Sequence, residues 1–278
     1  MKNIIFCDGG LANRLNTLIS GFYLAEKIGG AWEVSWPQND WCGARLISLF
    51  DIDIPIINNK LDYYANYSSK YFFLFHEDQL KFKPENTLNV RDLRSFNSFK
   101  VNLPIFYYNN LIPDFMDDKA ILNALNKIRV RKNIENIVKK FCNDNLISEQ
   151  IIGLHIRKTD FGNAVDDEAL KKMVDGHSRK FFICTDDKNV ADKFKRLSNC
   201  ILFEHESYVE KRMIEVGWNS IINDDVGRVY PFNVKRSSDS VINALIELII
   251  LSKTTLVDTS NSTFLSMAKI FKKYEYCN

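Results

Sequence analysis

The sequence has few of the features that mark metalloproteins, membrane proteins or nucleic-acid-binding proteins. Its six cysteines are scattered without a Cys-x-x-Cys pair and its four histidines do not cluster, which argues against a zinc site. Lys and Arg number 37 against 35 for Asp and Glu, and the formal net charge of +2 does not predict a nucleic-acid partner. The longest apolar stretch, residues 241–253, contains Asn243 and Glu247 and is shorter than the ~20 residues that span a bilayer.

The overall composition is that of a folded, soluble chain. Hydrophobic residues make up 46% and charged residues 26% of the 278 residues, which leaves room for two domains with proper cores. The N-terminal residues, MKNIIFCDGGLANRL, contain too short an apolar run for a signal peptide. Scattered cysteines fit a reducing compartment, so we expect a cytoplasmic protein.

Strand-like and helix-like segments alternate along the chain. A strand at 3–7 precedes a helix at 11–26 and a strand at 32–36. After a polar break, the pattern predicts strands at 151–156, 180–184, 200–203 and 255–258, and helices at 189–197, 238–252 and 262–274. This order predicts an α/β fold with two parallel-sheet domains, residues 1–145 and 146–278.

Two stretches of the N-terminal half have a less regular pattern. Residues 118–141 are typical of one or two helices with many Lys and Arg side chains on a solvated face. Residues 46–113 contain only short β-prone runs among polar stretches.

Ligands of open parallel sheets bind beyond the carboxyl ends of the strands, which draws attention to residues 155–160. His155, Arg157 and Lys158 end an apolar strand, and an arginine fork can hold two phosphate oxygens while a lysine adds charge. The segment therefore predicts an anion site. The alternative is that Arg157 pairs with Asp160 and closes a turn.

Two further strand ends carry small or acidic residues. Ser262 and Thr263 start a predicted helix, where free N–H groups favour a phosphate, although hydroxyl residues also cap helices. Asp186 and Asp187 follow another strand. They could hold a divalent ion, or they could simply cap the next helix, which we favour.

Two more positions complete the candidate set. The turn at Gly9 and Gly10 permits close backbone approach to a ligand, with Asn13 and Arg14 on the first helical turn, although a tight turn alone would explain the glycines. Glu247 lies on an apolar helix and needs a partner. A guanine edge can supply one, and the alternative is a buried pair with a Lys or Arg.

Taken in order, these blocks resemble the GDP-fucose-dependent fucosyltransferase superfamily, which includes α-1,6-fucosyltransferases, their nodulation-factor relatives and protein O-fucosyltransferases. The resemblance covers residues 151–271 best. It is carried by His155-Ile156-Arg157-Lys158-Thr159-Asp160, by Thr185-Asp186-Asp187, by Ser260-Asn261-Ser262-Thr263-Phe264 and, near the N-terminus, by Gly9-Gly10-Leu11-Ala12-Asn13-Arg14. Ala12 and Lys158 stand where relatives often have Gly and Arg.

The resemblance implies two facing Rossmann-like domains of the GT-B type, with a nucleotide-sugar cleft and the donor held mainly by the C-terminal one. It implies an inverting transfer from a GDP-sugar, fucose first, without a metal ion or other cofactor. Arg157 would stabilise the departing diphosphate, and Asp166 is the proposed base, with Asp167 and Glu168 as alternatives. The donor-binding set it implies is Gly10, Asn13, Arg14, His155, Arg157, Lys158, Asp186, Glu247, Ser262 and Thr263.

The acceptor implied by the resemblance is a bacterial surface glycan, such as capsule, O-antigen or lipooligosaccharide, carried on a lipid. The protein itself is expected to have at most peripheral attachment to the inner face of the cytoplasmic membrane. Three alternatives stay open. The donor could be another GDP-hexose or a GDP-heptose, which would bind at the same diphosphate site. The protein could be a metal-dependent transferase whose metal ion is bound by Asp186 and Asp187. It could also be a non-catalytic nucleotide- or carbohydrate-binding module.

Overall fold

The structure is a computed structural model. It describes residues 2–57, 71–75, 87–89, 102–109, 111–113, 116–159, 167–205, 207–223, 229–230, 232–257 and 262–277. The chain divides into two compact units. Unit 1 comprises Met1–Gln38 and Arg45–Val130, and unit 2 comprises Asn39–Ala44 and Arg131–Asn278.

Unit 1 is an α/β unit built on a parallel sheet. Its strands are β1 (Asn3–Phe6), β2 (Trp32–Ser35), β3 (Phe50–Asp51), β4 (Ile56–Ile57), β5 (Phe72–Phe75), β6 (Thr87–Asn89), β7 (Ile105–Tyr108) and β8 (Arg129–Val130). Its helices are α1 (Leu11–Ile28), α2 (Leu46–Leu49) and α3 (Asp118–Asn126). Within the described residues, six strands form one sheet in the order β4-β2-β1-β7-β5-β6, and every pair in it is parallel.

Helix α1 packs closely on the strand that precedes it. A Cβ added at Gly21 would lie 2.6 Å from the side chain of Ile5, so only glycine allows this approach. Ile5, Val34 and Phe106 are fully buried on adjacent strands. The core of unit 1 is therefore the contact of α1 with the central strands.

Unit 2 repeats this architecture with fewer strands. Its strands are β9 (Ile152–Ile156), β10 (Phe181–Thr185), β11 (Cys200–Leu202), β12 (Ile222–Asn223), β13 (Val229–Tyr230) and β14 (Thr255–Leu256). Its helices are α4 (Lys132–Asn145), α5 (Asp167–Asp175), α6 (Lys188–Phe194), α7 (Ser238–Ser252) and α8 (Thr263–Lys273). In the part of unit 2 that the structure describes, four parallel strands form a sheet in the order β11-β10-β9-β14.

The two faces of the unit 2 sheet have different neighbours. Leu154 and Ile156 point to a hydrophobic core that includes Val174 of α5 and Phe194 of α6. Because side chains alternate along a strand, His155 points to the opposite face, where its ring lies against Phe264 of α8. The α/β class with parallel sheets, predicted from the alternation of elements, is confirmed.

The structure decides one open point of the sequence prediction and differs from it in another. Of the one or two helices predicted at 118–141, there are two, α3 and the start of α4, separated by β8. The compact units divide after Val130, earlier than the predicted boundary at 145/146, because α4 packs against α7 of unit 2.

Residues 39–44 also belong to unit 2, although unit 1 surrounds them in the sequence. Gly43 N–H donates to the carbonyl of Arg236 at 2.9 Å, and Arg212 pairs with Asp40. Among the described helices, none is both long and apolar enough to cross a membrane.

Candidate functional site

The carboxyl end of β9 is the topological switch point of the unit 2 sheet. From β9 the chain runs through α5 to β10 on one side, whereas β14, which comes later, pairs with β9 on the other side. Such a reversal of strand order leaves a crevice beyond the strand ends, where ligands of open α/β sheets bind. The residues that follow β9 are Arg157, Lys158 and Thr159, and the first two are half-buried.

The carboxylate of Asp186 fixes this loop to the end of the neighbouring strand, β10. Lys158 N–H donates to its Oδ1 at 3.0 Å, and the hydroxyl of Thr159 donates to its Oδ2. Thr159 is buried. The loop that carries Arg157, residues 157–159, is therefore held by one carboxylate, which follows β10.

The start of α8 lies against the same strand end. The rings of His155 and Phe264 stack with centroids 4.7 Å apart and planes inclined by 20°. Ser262 caps α8 by accepting a hydrogen bond from Phe264 N–H at 3.2 Å, and Thr263 is the first helical residue. This contact brings the positive end of a helix next to the Arg157 loop.

His155 is neutral at physiological pH. It is 6% exposed, and burial, together with the positive charge of Arg157, lowers its pKa to about 3. A neutral imidazole packs on Phe264 without adding a third charge to the site. The positive potential beyond β9 therefore comes from Arg157, from Lys158 and from the positive end of the α8 dipole, an arrangement suited to a phosphate or diphosphate.

Asp187 has a local structural role. Its carboxylate caps α6 and accepts a hydrogen bond from Val190 N–H at 3.0 Å. The capping interpretation of Asp187 is thus confirmed, while Asp186 contacts Lys158 and Thr159 instead. No group of three or more His, Cys, Asp or Glu side chains that could hold a metal ion occurs among the residues that the structure describes.

Glu247 of α7 is buried beside β10 and has partners within the protein. Its Oε1 lies 3.8 Å from Nε2 of His205, and its Oε2 accepts a hydrogen bond from the thiol of Cys184 at 3.4 Å. Burial and the nearby Glu247 hold the pKa of Cys184 well above its usual range, so the thiol keeps the proton that it donates. The buried-pair alternative expected a Lys or Arg, and the structure places a histidine there.

The side chains of His205 and Glu247 form a buried pair. Nδ1 of His205 lies 2.8 Å from the carbonyl of Ser207, which can only accept, so the opposite ring nitrogen faces the carboxylate. Burial raises the pKa of Glu247. Burial alone would lower the pKa of His205, but the adjacent Glu247 carboxylate outweighs it and raises that pKa.

The turn after β1 in unit 1 is built differently. Gly9 has a φ of +78°, a conformation that favours glycine, and Gly10 precedes α1. Arg14 is 0% exposed and donates from Nε to the carbonyl of Gly9 at 2.7 Å and from Nη1 to that of Pro37 at 2.8 Å. Oδ1 of Asn13 is buried and accepts no hydrogen bond from the described residues.

Two predicted features lie outside the described residues. They are Asp166, the proposed base, and Asp160, the alternative partner of Arg157. The same holds for residues 258–261 of the serine-rich turn.

Solved structures with a similar fold include the α-1,6-fucosyltransferase NodZ. NodZ from Bradyrhizobium, a fucosyltransferase, matches at a TM-score of 0.56 and 14% sequence identity, covering 97% of this chain and 92% of NodZ. NodZ co-crystallised with GDP matches at 0.58 and 15%, and NodZ soaked with GDP-fucose at 0.55 and 16%, with the same coverage. The chain has the NodZ fold. No protein-family model and no curated protein matches the sequence significantly.

Within this NodZ fold, the sequence identified the strand ends correctly but missed three side chains that shape the site. Phe264 lies in the motif at residues 260–264, and nothing in its spacing indicates that it stacks on His155. Thr159 and His205 were missed because their partners, Asp186 and Glu247, lie far away in the sequence. A buried acid on an apolar helix does signal that some partner exists.

Proposed function

We propose that this protein is a glycosyltransferase that uses a GDP-sugar donor, with GDP-fucose the first candidate. The observation that carries the proposal is the contact of His155 with Phe264, because it joins the Arg157 loop to the start of α8 at the switch point of a parallel sheet. The NodZ fold supports the choice of nucleotide, since NodZ has been crystallised with GDP and soaked with GDP-fucose.

In the proposed reaction, the bond between the sugar carbon and the diphosphate oxygen breaks while an acceptor hydroxyl attacks the sugar. Positive charge develops on the sugar ring and negative charge on the departing GDP. Arg157 can place two N–H groups on the phosphate oxygens, and the backbone N–H of Thr263 lies at the positive end of the α8 dipole. Such preorganised donors stabilise developing charge without moving during the reaction.

The finer parts of the assignment belong to the same proposal. We expect an inverting transfer without a metal ion, a donor cleft between two facing domains, and a bacterial surface glycan as acceptor. Asp166 stays the proposed base, and Gly10, Asn13 and Lys158 stay proposed donor contacts. A cytoplasmic location with at most peripheral membrane attachment belongs to the same proposal.

The main test is the replacement of Arg157. Electrostatic help of this kind is worth a few kcal/mol, so we expect Arg157→Ala to lower GDP-sugar turnover by about a hundredfold and Arg157→Lys to recover part of the loss. Acceptor-free hydrolysis of GDP-fucose to GDP is the readout, because it needs no knowledge of the acceptor. Arg196→Ala, an exposed arginine of the same unit, is the matched control.

Two results would contradict the proposal. If Arg157→Ala turned over GDP-fucose at the wild-type rate, Arg157 would not be the diphosphate ligand. If the wild-type protein bound GDP but hydrolysed no GDP-sugar, with or without a mixed glycan acceptor, the chain would be a binding module. Loss of turnover on adding a chelator would favour a metal-dependent reaction.

Nucleotide preference tests the proposed contact of Glu247 with guanine. Binding to the native state alone raises the melting temperature, so we expect GDP to raise it more than UDP, ADP or CMP. Reading guanine would require an oxygen of Glu247 to exchange its contact with His205 or Cys184 for the guanine N–H groups. Glu247→Gln should therefore reduce the preference for GDP, and a wild-type preference for UDP would refute the guanine contact.

A further inference from the structure

The carboxylate of Asp186 accepts hydrogen bonds from two successive residues of the Arg157 loop. Its Oδ1 takes the N–H of Lys158 at 3.0 Å and its Oδ2 takes the hydroxyl of Thr159. Hydrogen bonds to an ionised acceptor are about twice as strong as neutral ones. Asp186 thus fastens the loop after β9 to the end of β10.

The bond to Lys158 N–H acts directly on the backbone of Arg157. That N–H belongs to the planar peptide unit that joins Arg157 to Lys158, so fixing it fixes the direction in which the chain leaves Arg157. Thr159, which is 1% exposed, is bonded to the same carboxylate through its hydroxyl. The guanidinium of Arg157 therefore projects from a backbone that is held on both of its following residues.

Asp186 is poorly suited to contact a diphosphate itself. An ionised carboxylate has no hydrogen to donate to a phosphate oxygen, and two negative groups in contact repel each other. Both of its oxygens already accept hydrogen bonds from the protein. The adjacent carboxylate, that of Asp187, is engaged in capping α6.

We propose that Asp186 is a positioning residue that holds the Arg157 loop in its phosphate-binding conformation, and that it is a ligand neither of the donor nor of a metal ion. The identity of the ligand rests on the proposed function, whereas the restraint on the loop does not. The two adjacent acids have separate tasks, since Asp186 orders the loop after β9 and Asp187 orders the start of α6.

The restraint can be measured without any ligand. We expect Asp186→Ala to raise the hydrogen-exchange rate of the Lys158 amide about tenfold, the effect of losing one hydrogen bond to a charged acceptor. Asp186→Asn should keep the rate near wild type, because its amide oxygen still accepts from Lys158 N–H. Asp187→Ala is the matched control and should leave the Lys158 amide unchanged while speeding exchange at Val190.

Ligand binding then tests whether holding the Arg157 loop contributes to phosphate binding. We expect Asp186→Ala to weaken binding of GDP about tenfold without changing the affinity for guanosine, which lacks the phosphates. Thr159→Val should give a smaller loss of the same kind, and Asp186→Asn should restore GDP binding. In an Arg157→Ala background, adding Asp186→Ala should cause no further loss, because Asp186 acts through Arg157.

Several outcomes would overturn the inference. An unchanged Lys158 exchange rate in Asp186→Ala would mean that the loop is held by other contacts. If Asp186→Asn bound GDP as weakly as Asp186→Ala, and if wild-type binding of GDP were lost on adding a chelator, Asp186 would be a metal ligand. If the wild-type protein bound no GDP, the proposed function would fail, and the exchange rates would still decide whether Asp186 holds the loop.

Discussion

Each unit carries an arginine after its first strand, and the two arginines lie in opposite surroundings. Arg14, after β1, is fully buried, donates to two backbone carbonyls and lies with its guanidinium 5.0 Å from the ring centre of Trp36. Arg157, after β9, is half-buried at the strand end beside the start of α8. The same residue type in a comparable place thus completes a turn in one unit and can meet a ligand in the other.

The difference follows from where the next helix begins. Helix α1 starts at Leu11, so Arg14 lies on the same helical face as Leu11 and Leu18, and that face packs on the sheet. Arg157 follows its strand directly, and α5 starts only at Asp167. A basic residue after a strand is therefore informative about ligands only when no helix face buries it.

The largest expected difference between the two arginines is the effect of replacing each of them by alanine. We expect Arg157→Ala to lose about a hundredfold in turnover with little change in unfolding. Arg14→Ala should lower the free energy of unfolding by about 3 kcal/mol, because it leaves the buried carbonyl of Pro37 and the half-buried carbonyl of Gly9 without their donor. Turnover of GDP-fucose and urea unfolding of both variants measure the two effects.

Two results would contradict this prediction for the arginine variants. If Arg14→Ala unfolded like the wild type but lost GDP binding, Arg14 would be a donor contact, as the sequence alone had predicted. If Arg157→Ala were the less stable variant, Arg157 would be a structural residue and the anion site would lie elsewhere.

Acid should affect the strand end of unit 2 through His155. Its pKa is about 3 in the folded chain against about 6.5 when unfolded, so the unfolded state binds more protons between these values. Stability is therefore complete above pH 6.5 and falls as the pH falls towards 3. We expect wild type to lose about 2 kcal/mol more than His155→Phe between pH 7 and pH 4.5.

His155→Phe keeps an aromatic ring against Phe264 while removing the titrating group, so the comparison isolates protonation. His177→Gln, at an exposed position, provides the control and should follow wild type. Parallel stability profiles for wild type and His155→Phe, measured by urea unfolding at each pH, would mean that His155 is not buried as described.

The sequence predicted the fold class and most strand ends because both are local patterns. Buried strands such as β9 and β10 are mostly apolar, and α7 has a long apolar run that starts after a capping serine. The attachment of residues 39–44 to unit 2 depends on contacts with residues far along the chain, and no local pattern encodes it.

The candidate site divides in the same way. The positions of Arg157 at a strand end and of Ser262 at a helix start could be predicted, because both are local properties. The capping role of Asp187 was also foreseen. The bonds from Lys158 and Thr159 to Asp186, and the pair of His205 with Glu247, are made across the sheet. Residue type and spacing indicate that such groups need partners, but only the fold selects which partners they receive.

The smallest expected effect separates the two glycines of the unit 1 turn. Gly9 has a φ of +78°, and a Cβ there would lie 3.1 Å from Nδ2 of Asn13, whereas a Cβ at Gly10 would meet nothing within 4 Å. We expect Gly9→Ala to cost about 1 kcal/mol in unfolding free energy and Gly10→Ala to be nearly neutral. Gly10→Ala is then the sensitive probe of ligand approach, because it adds a methyl group to open space without strain. Weaker GDP binding by Gly10→Ala at unchanged stability would place the ligand against this turn. Unchanged GDP binding would mean that the turn, with its hydrogen bonds from Arg14, has a purely structural role.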